Sequence, residues 1–298
     1  MDMGMKERFT LFDVLNYTVL ALFTLTCLFP FYYLFINTIS NNDLSSRGLV
    51  MFYPEGFHLT NYKQVFNIPG LATATFVSVS RTVIGTTLTV GASAFLGYLF
   101  TKNEMRGRKF WYRFLVITMY FNAGLIPWFL TMHNLGLTNN FLAYILPSIV
   151  SPFFIILVKT YVESTPMALQ ESAMIDGAGY LMIFWKIILP LITPIMATIA
   201  IFAAVGQWNS FQDTLFLISD SNLFTLQFIL YRYMNEATSL ATLMRSTQGA
   251  IGVDLTNMQT ATSIRTTVSM IVVIPILLVY PYFQRFFVKG IMIGAVKG

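Results

Sequence analysis

The chain has 298 residues, of which 56% are hydrophobic and only 10% are charged, and its mean hydropathy is +0.66. A soluble globular domain carries about 25% charged residues, so the composition excludes a water-soluble body and predicts an integral membrane protein. The single cysteine, Cys27, excludes an internal disulfide and a multi-cysteine metal site, and we attribute the formal net charge of +5 to membrane topology rather than to nucleic-acid binding.

Six apolar segments are long enough to cross a bilayer, which takes about 20 residues of helix. In chain order, the predicted spans cover residues 15–36, 76–100, 110–132, 141–160, 187–207 and 267–287. These runs are too long and too unpatterned for barrel strands, so helices are favoured. The first run is longer than the apolar core of a signal peptide and predicts a retained anchor. The predicted fold class is therefore all-α: a polytopic membrane protein with six transmembrane helices in a single domain, residues 1–298.

The charges of the loops predict the orientation of these spans. Twelve of the 18 lysines and arginines fall on the same side as the two termini, which places both termini in the cytoplasm. Two long segments, residues 37–75 and 208–266, then lie on the outer side. Each is much longer than a connecting turn and contains aromatic residues and mixed charge, so we expect ordered caps.

A charged, glycine-containing loop, residues 163–186, separates the fourth and fifth spans on the cytoplasmic side. Thr165-Pro166 is typical of a helix start, with Thr165 as the cap, and a short helix is expected over residues 167–174. Gly177 can adopt the positive φ that ends a helix. Ala173 lies four residues earlier on the same face, so the two small residues predict a patch that another protein can approach closely.

This loop resembles the cytoplasmic coupling loop of binding-protein-dependent ABC importer permeases. The family motif is Glu-Ala-Ala, a glycine three residues later, and then Ile-x-Leu-Pro. The residues of this chain that match it are Glu171, Ala173, Gly177, Ala178, Leu189 and Pro190. Ser172 stands where the second alanine is usual, and Asp176 precedes the glycine, as is common in the sugar-uptake branch. The other interpretation is an amphipathic connector that packs on the inner rim of its own protein.

Further motifs are similar to those of carbohydrate-uptake permeases, above all of the branch for oligosaccharides and polysaccharide fragments. They are residues 122–127, 135–137, 207–209, 287–290 and 294–298. The resemblance implies half of a sugar translocation pore with a cytoplasmic coupling helix, in a bacterial cytoplasmic membrane. The implied partners are a second permease forming a heterodimer, two ABC ATPase subunits and an extracytoplasmic solute-binding protein. ATP and Mg belong to the ATPase subunits, and this chain is expected to bind no cofactor, metal or nucleic acid and to have no catalytic residue.

A sugar needs hydroxyl partners and flat aromatic faces, so polar and aromatic residues in or near spans are the candidates for the substrate path. They are Arg81, Tyr120, Asn122, Trp128, Gln207, Trp208 and Asn209. The tryptophans could instead belong to the interfacial belt, and Asn122 could bond a neighbouring helix. For Arg81, a snorkelling cation is favoured over a contact with an anionic sugar.

The outer segment after the fifth span contains a candidate surface for the binding protein. Its residues are Phe224, Leu226, Gln227, Tyr231, Arg232 and Tyr233. Packing on the protein's own outer rim explains the same periodicity.

The alternative functions are an ion-driven secondary transporter, a membrane-embedded enzyme, a scaffold, and an ABC permease for a non-sugar solute. Ion coupling calls for acidic or paired ionisable residues within spans. The predicted spans contain no acidic residue and, away from their last few positions, essentially no ionisable residue beyond Arg81 and Arg113. An enzyme would need a catalytic constellation in the bilayer. The sequence has no phosphate-binding loop, and His58 and His133 are far apart. A scaffold would not need the coupling loop, so an ABC importer permease is the preferred interpretation.

Overall fold

The computed structural model of the protein describes residues 10–235 and 261–295. Within these residues every regular element is a helix, and no strand occurs. The chain forms two compact units: the first comprises residues up to Asn67 together with 233–271, and the second comprises 68–232 together with the residues from Val272 onward. The candidate coupling residues and the candidate substrate-path residues all lie in the second unit.

The first unit begins with α1, Leu11–Thr38. Thr10 caps this helix, because its hydroxyl accepts a hydrogen bond from the Asp13 N–H and the Asp13 side chain accepts one from the Thr10 backbone. Only the last turn of α1, residues 36–38, is buried. The remaining apolar side chains are uncovered, as expected of a helix whose surroundings are lipid or another subunit.

The segment after α1 is ordered by buried polar contacts. It contains α2, Asn42–Ser46, and α3, Thr60–Phe66. The Asn61 amide donates to the Thr38 carbonyl at 3.0 Å and to Asn42 Oδ1 at 2.9 Å. The predicted order of this segment is confirmed for residues 37–67, and its position on the outer side of the membrane stays a prediction.

The second unit contains nine numbered helices, of which α4 is the longest. They are α4 Leu71–Leu99, α5 Arg108–Tyr120, α6 Leu125–Asn134, α7 Pro152–Glu163, α8 Ala168–Ile175, α9 Tyr180–Ile183, α10 Leu189–Leu191, α11 Thr193–Asn209 and α12 Gln212–Leu217. Short 3-10 turns occupy Phe141–Tyr144, Leu146–Ser148 and Ser221–Leu223, and a π-helical turn, Phe184–Ile188, joins α9 to α10. A helix over 226–235, α13, and the helix Ala261–Ala295, α14, complete the described chain.

Two glycines let α4 approach its neighbours closely. A Cβ on Gly97 would lie 2.7 Å from the Cβ of Val158 in α7, and one on Gly85 would lie 2.7 Å from Nε2 of Gln207 in α11. Neither distance is compatible with an ordinary van der Waals contact. Gly85 and Gly97 are therefore packing positions, whereas Gly91 of the same helix has open space where a side chain would lie.

The number of transmembrane helices differs from the prediction. Among the described residues, three helical stretches are long and apolar enough to cross a membrane: Leu11–Thr38, Leu71–Leu99 and Thr262–Val279. Two bent pairs raise the number to five if each pair is one span: Phe141–Ser148 with Pro152–Glu163, bent by 44°, and Tyr180–Leu191 with Thr193–Asn209, bent by 78°. The all-helical prediction is confirmed, and six continuous membrane helices are not.

The predicted span 110–132 is broken between α5 and α6. The side chain of Asn122 accepts a hydrogen bond from the Gly124 N–H at 2.9 Å, and Gly124 adopts a φ of +87°. Pro127 then has no N–H with which to continue the helical ladder. A local turn therefore replaces the middle of this span, and Tyr120 and Asn122 lie at the break rather than in the middle of a helix.

The sharp bend before α11 also has a local cause. Pro194 lacks the N–H that would bond the Pro190 carbonyl, and the Thr193 hydroxyl donates to that carbonyl instead, at 2.8 Å. The axis changes direction here by 78°. The helix of the fifth predicted span thus begins at Thr193 rather than at residue 187, and Leu189-Pro190 precedes the bend.

The second outer segment is ordered where the structure describes it. The Leu226 N–H donates to Ser78 Oγ of α4 at 2.8 Å, and the Asp220 N–H donates to Asn139 Oδ1 at 3.0 Å. These contacts confirm the predicted order of residues 208–235, whose position on the outer side of the membrane stays a prediction. The rest of that predicted cap, 236–260, lies outside the described residues, as do the chain ends 1–9 and 296–298.

Candidate functional site: a coupling helix and a polar cavity

The candidate coupling helix, α8, ends in a complete Schellman motif. Gly177 has a φ of +82°, its N–H bonds the Met174 carbonyl at 3.0 Å, and the Ala178 N–H bonds the Ala173 carbonyl at 2.9 Å. This pair of bonds satisfies carbonyls that would otherwise be left free at the helix end. The predicted termination of the helix at Gly177 is confirmed.

The start of α8 differs from the prediction. The Thr165 hydroxyl donates to the Val162 carbonyl at 2.6 Å, so it serves the end of α7 and caps nothing in α8. The helix begins at Ala168, after Met167, and without a side-chain cap. The expected capping role of Thr165 is wrong, because its hydroxyl is already bonded to the preceding helix.

The small-residue face of α8 is turned partly inward. Ala173 and Ala178 are half-buried and pack against a core that includes Tyr98 and Ile183, and Leu189 packs against the same core. Ala173 therefore contributes to packing within the chain, and the external patch of Ala173 with Gly177 stays a prediction. Gly177 itself has open space around it.

The outward face of α8 combines polar and apolar side chains. Glu171, Ser172 and Asp176 are exposed, as is Pro190 beyond the loop. Met174 is exposed beside them, and Ile175 is 85% exposed. A short helix that presents large apolar side chains without a cover is typical of a docking element.

A buried lysine fixes α8 to α4, and the sequence analysis did not single it out. Lys102, three residues beyond the end of α4, is 9% exposed and donates through Nζ to Oε1 of the buried Gln170 in α8. The ammonium also lies 4.5 Å from the centroid of the Tyr98 ring and 5.7 Å from that of Tyr180. Burial lowers the pKa of Lys102, whereas the nearby Glu104 carboxylate acts in the opposite direction.

At the other half of α4, Arg81 forms a buried ion pair with Asp213, which lies just beyond α11. Its Nη1 donates to Asp213 Oδ1 at 3.1 Å, and its Nη2 donates to Oδ2. Nε and Nη2 of the guanidinium also donate to Gln207 Oε1, at 3.1 and 3.0 Å respectively. Nη1 donates to the Ser210 carbonyl at 3.3 Å. The guanidinium plane also lies 4.4 Å from the centroid of the Tyr144 ring.

These contacts contradict the snorkelling interpretation of Arg81. The side chain is only 2% exposed, so it does not reach out of the protein towards an interface. A guanidinium has five N–H donors, and five donor–acceptor contacts to the protein account for them. Arg81 therefore fixes α4 to α11 and α12, because a buried charge needs a fixed counter-charge.

Gln207 continues this network towards the 3-10 turns before α7. Its Nε2 donates to Ser148 Oγ at 2.6 Å and to the Tyr144 carbonyl at 3.4 Å. The hydroxyl of Tyr144 donates to the Leu223 carbonyl at 2.6 Å and accepts from Thr214 at 3.1 Å. One connected set of polar groups thus joins α4, the 3-10 turns, α11 and the outer segment.

This network forms one wall of a cavity of about 500 Å³. The lining combines Arg81, Gln207 and Asp213 with the aromatic faces of Trp128, Tyr144 and Phe202, among others. Polar groups that converge beside aromatic rings are typical of a site for a small hydroxylated molecule.

Of the seven residues predicted for the substrate path, the cavity brings together Arg81, Trp128 and Gln207. Tyr120, Asn122 and Asn209 are exposed and do not line it. Trp208 points elsewhere, and its indole donates to the Val272 carbonyl of α14 at 3.1 Å. Tyr144 and Asp213 were missed; the available signal was that an arginine in an apolar helix needs a counter-charge.

The candidate surface for a binding protein is only partly external. Leu226 is 2% exposed and packs inside the unit, so it cannot contribute to a docking face. Arg232 is exposed. Packing within the chain therefore accounts for the apolar periodicity of α13.

Comparisons with known proteins agree with these features. Residues 90–293 match the family described as "Binding-protein-dependent transport system inner membrane component". The chain is 35% identical to Protein LplC of Bacillus subtilis (strain 168) over 96% of this chain and 95% of that protein. It is 34% identical to the polygalacturonan/rhamnogalacturonan transport system permease protein YtcP of the same organism over 99% of this chain and 100% of that protein.

A solved structure is similar over almost the whole chain. It is a bacterial ABC transporter involved in the import of the acidic polysaccharide alginate, with a TM-score of 0.81 and 28% identity over 95% of this chain and 100% of that chain. The protein belongs to the family of inner-membrane components of binding-protein-dependent transport systems. It is accordingly a permease subunit of an ABC importer.

Proposed function

We propose that this chain forms half of the translocation pore of a carbohydrate importer in the bacterial cytoplasmic membrane, as one transmembrane domain over residues 1–298. Two similar proteins named for polygalacturonan/rhamnogalacturonan transport and for alginate import support an oligosaccharide or polysaccharide fragment as the substrate. A second, different permease supplies the other half of the pore. An extracytoplasmic binding protein delivers the sugar.

Energy for transport comes from two ABC ATPase subunits, which bind ATP and Mg and dock on α8 at the cytoplasmic side, where both termini of this chain also lie. The observation that carries this assignment is the form of α8: it ends at Gly177 in a Schellman motif and presents Ile175 at 85% exposure. Such an apolar surface requires a partner. Closure of the ATPase subunits then changes the relative free energies of the two pore states.

The cavity beside Arg81 is the place where we propose that the sugar passes through this half of the pore. Trp128 and Phe202 offer aromatic faces to a sugar ring, and the Asp213 carboxylate, 14% exposed, can accept hydrogen bonds from hydroxyls. Arg81 has all its donors occupied by protein groups. Its role is therefore to hold the wall of the cavity.

The test is the ATPase activity of the complete transporter in proteoliposomes. The chain is co-expressed with its partner permease and ATPase subunits, and the binding protein is loaded in turn with oligogalacturonides, neutral oligosaccharides, a dipeptide or an amino acid. Stimulation by an oligosaccharide is expected. Stimulation by the dipeptide or the amino acid alone would overturn the carbohydrate assignment.

A further inference from the structure

The contact between Lys102 and Gln170 connects the coupling helix to the longest helix of the second unit. Gln170 is 5% exposed and lies on the inward side of α8, opposite the face that is free for a partner. Tyr98, whose ring lies beside the Lys102 ammonium, is in the last turn of α4. The hydroxyl of Tyr98 also donates to the carbonyl of Tyr180 at 3.2 Å.

The partners of the buried Lys102 ammonium make the contact with Gln170 depend on the relative position of α4 and α8. Among the described residues, no carboxylate oxygen lies within 4.0 Å of Lys102 Nζ, so its direct contacts are neutral, one amide oxygen and two aromatic faces, and the Glu104 carboxylate acts on it only from a greater distance. A buried ammonium is strongly destabilised when it loses such partners. Moving α8 away from α4 would leave this charge without its amide, so the two elements are held together as one body.

The covalent connection from α8 to the following helices is less constrained. It passes through Gly177 and Gly179, which are both exposed and have open space where a side chain would lie. A chain with two such glycines changes direction easily. A displacement of α8 therefore reaches the rest of the unit mainly through packed contacts, and the Lys102–Gln170 contact leads directly to α4.

The other half of α4 holds Arg81, which lines the cavity and bonds Gln207 and Asp213. Tyr98 and Arg81 are separated by about 26 Å along the helix axis, at 1.5 Å per residue. The structure shows no break between them, because α4 is continuous from Leu71 to Leu99. A buried cation thus fixes each half of the same helix: Lys102 to the coupling helix and Arg81 to the cavity wall.

From this arrangement we infer that Lys102 and Gln170 are positioning residues that transmit displacement of the coupling helix to α4 and thereby to the cavity. This inference rests on the proposed function, because it needs an ATPase subunit that moves α8. The Lys102–Gln170 contact is a second connection between α8 and α4, besides the packing of the apolar core. The inference also assigns a transport role to two residues outside the coupling motif.

The first test compares Lys102→Met and Gln170→Leu with the wild type in the reconstituted transporter. Three quantities are measured: the amount of ATPase subunit that co-purifies, the basal ATPase rate, and the stimulation by the substrate-loaded binding protein. Lys102→Met, which removes the charge itself, is expected to retain the ATPase subunits and the basal rate and to lose stimulation by about tenfold, within the usual range of coupling factors. Gln170→Leu leaves the buried ammonium without its amide and is expected to lose stimulation as well, together with some thermal stability. Gln170→Glu, which keeps an acceptor for the ammonium, is expected to retain stimulation.

Lys159→Met is the matched control. Lys159 also lies over a tyrosine ring, 4.9 Å from the centroid of Tyr112, but it pairs with the exposed Glu163 of its own helix at 2.7 Å. This variant is expected to keep normal stimulation. Wild-type stimulation in Lys102→Met, or co-purification lost in both Lys102→Met and Gln170→Leu, would overturn the inference, since the pair would then be dispensable or merely needed for assembly.

A second test asks directly whether α4 and α8 move together. Cysteines replace Lys102 and Gln170 in a Cys27→Ser background, and a short bifunctional crosslinker joins them in the assembled transporter. Because this variant lacks both side chains, its stimulation is expected to be low before crosslinking, and the crosslinker is expected to restore stimulation by joining the two elements again. Stimulation that stays low or falls further after complete crosslinking would overturn the inference. If the wild type itself responds to no sugar-loaded binding protein, the proposed function fails instead.

Discussion

Arg81 and Asp213 lie 132 positions apart in the chain and form a buried ion pair through two hydrogen bonds. The pair joins α4 to the segment that follows α11, and Gln207 binds the same guanidinium from the side. A buried pair of this kind defines the geometry of its surroundings more than it adds to stability. The wall of the cavity therefore depends on Arg81 and Asp213 being present together.

Removing one partner of this pair is expected to destabilise the protein strongly. Arg81→Met leaves the Asp213 carboxylate without its counter-charge, which costs about 3–5 kcal/mol when a buried pair is broken. The measurement is thermal unfolding of the purified transporter in detergent. The double variant Arg81→Met/Asp213→Asn is expected to recover part of the loss, because no unpaired charge then remains.

Arg47→Met is the control for this prediction. The Arg47–Asp43 pair is exposed, with 67% and 33% of the side chains accessible, and such pairs contribute less than about 1 kcal/mol. Equal loss of thermal stability in the Arg47 and Arg81 variants would contradict the assigned burial of the Arg81 pair.

Gly97→Ala is expected to destabilise the packing of α4 against α7. Its Cβ would lie 2.7 Å from the Cβ of Val158 and 3.1 Å from the Ile155 carbonyl oxygen. Overpacking of this kind costs about 1–3 kcal/mol, and the thermal unfolding of the complex in detergent measures it. Gly91→Ala, in the same helix and with open space around it, should be neutral or slightly stabilising. If the two variants unfold alike, the close approach of α4 and α7 is not present in solution.

Gly177→Ala is expected to weaken the docking of the ATPase subunits. A side chain at a φ of +82° is strained, by about 1–2 kcal/mol for a residue in the left-handed region, and the end of α8 would shift. Co-purification of the ATPase subunits should fall, and it should fall less in Gly177→Asn, since asparagine tolerates this conformation.

The control for Gly177 is its neighbour Gly179. Gly179→Ala places a methyl group in open space at a φ of −75°, which any residue adopts. Its ATPase subunits should co-purify as in the wild type. A loss that is the same at the two positions would assign the effect to flexibility of the loop rather than to the helix end.

Trp128→Ala is expected to impair transport without impairing assembly. The indole lines the cavity beside Arg81 and Gln207, so its removal takes away an aromatic face that a sugar ring would contact. We expect the KM for the sugar-loaded binding protein in the ATPase assay to rise about tenfold, at the low end of the effect of removing an apolar contact from a binding pocket. Trp111→Ala, on the exposed face of α5, should leave KM unchanged, and equal effects would argue against the cavity as the substrate path.

The helical character of the chain and the end of the coupling helix could be predicted from the sequence, because both depend on local signals. Apolar runs that exclude charge define helices in lipid. Gly177 was predicted to adopt the positive φ that ends a helix, and its φ of +82° confirms that prediction. Ala173 shows the limit of such signals: a small residue predicts close packing but not which surface makes the contact.

The broken spans could not be predicted from hydropathy, since it measures composition and not the continuity of the backbone. Asn122 and Gly124 interrupt an apolar run by forming a turn, and Pro194 redirects another. Asparagine, glycine and proline are all known to interrupt helices. In membrane helices, however, prolines are often tolerated. The sequence alone does not distinguish a tolerated proline from one at a 78° bend.

Arg81 in α4 and Lys102 just beyond its end could not be assigned partners from the sequence, because their partners are distant along the chain. Gln170 lies 68 positions from Lys102. A neutral amide as the partner of a lysine has no motif, and tertiary packing alone selects it. The rule that a charge in an apolar helix needs a counter-charge would have directed attention to Asp213, the first acidic residue after the fifth predicted span.

The uncovered surface of α1 has a consequence for biosynthesis. Because only residues 36–38 of this helix are buried, its insertion into lipid needs no cover from the rest of its own compact unit. The first span can therefore enter the bilayer while the rest of the chain is still being translated. Its flanking charges then set the direction in which every later segment is threaded.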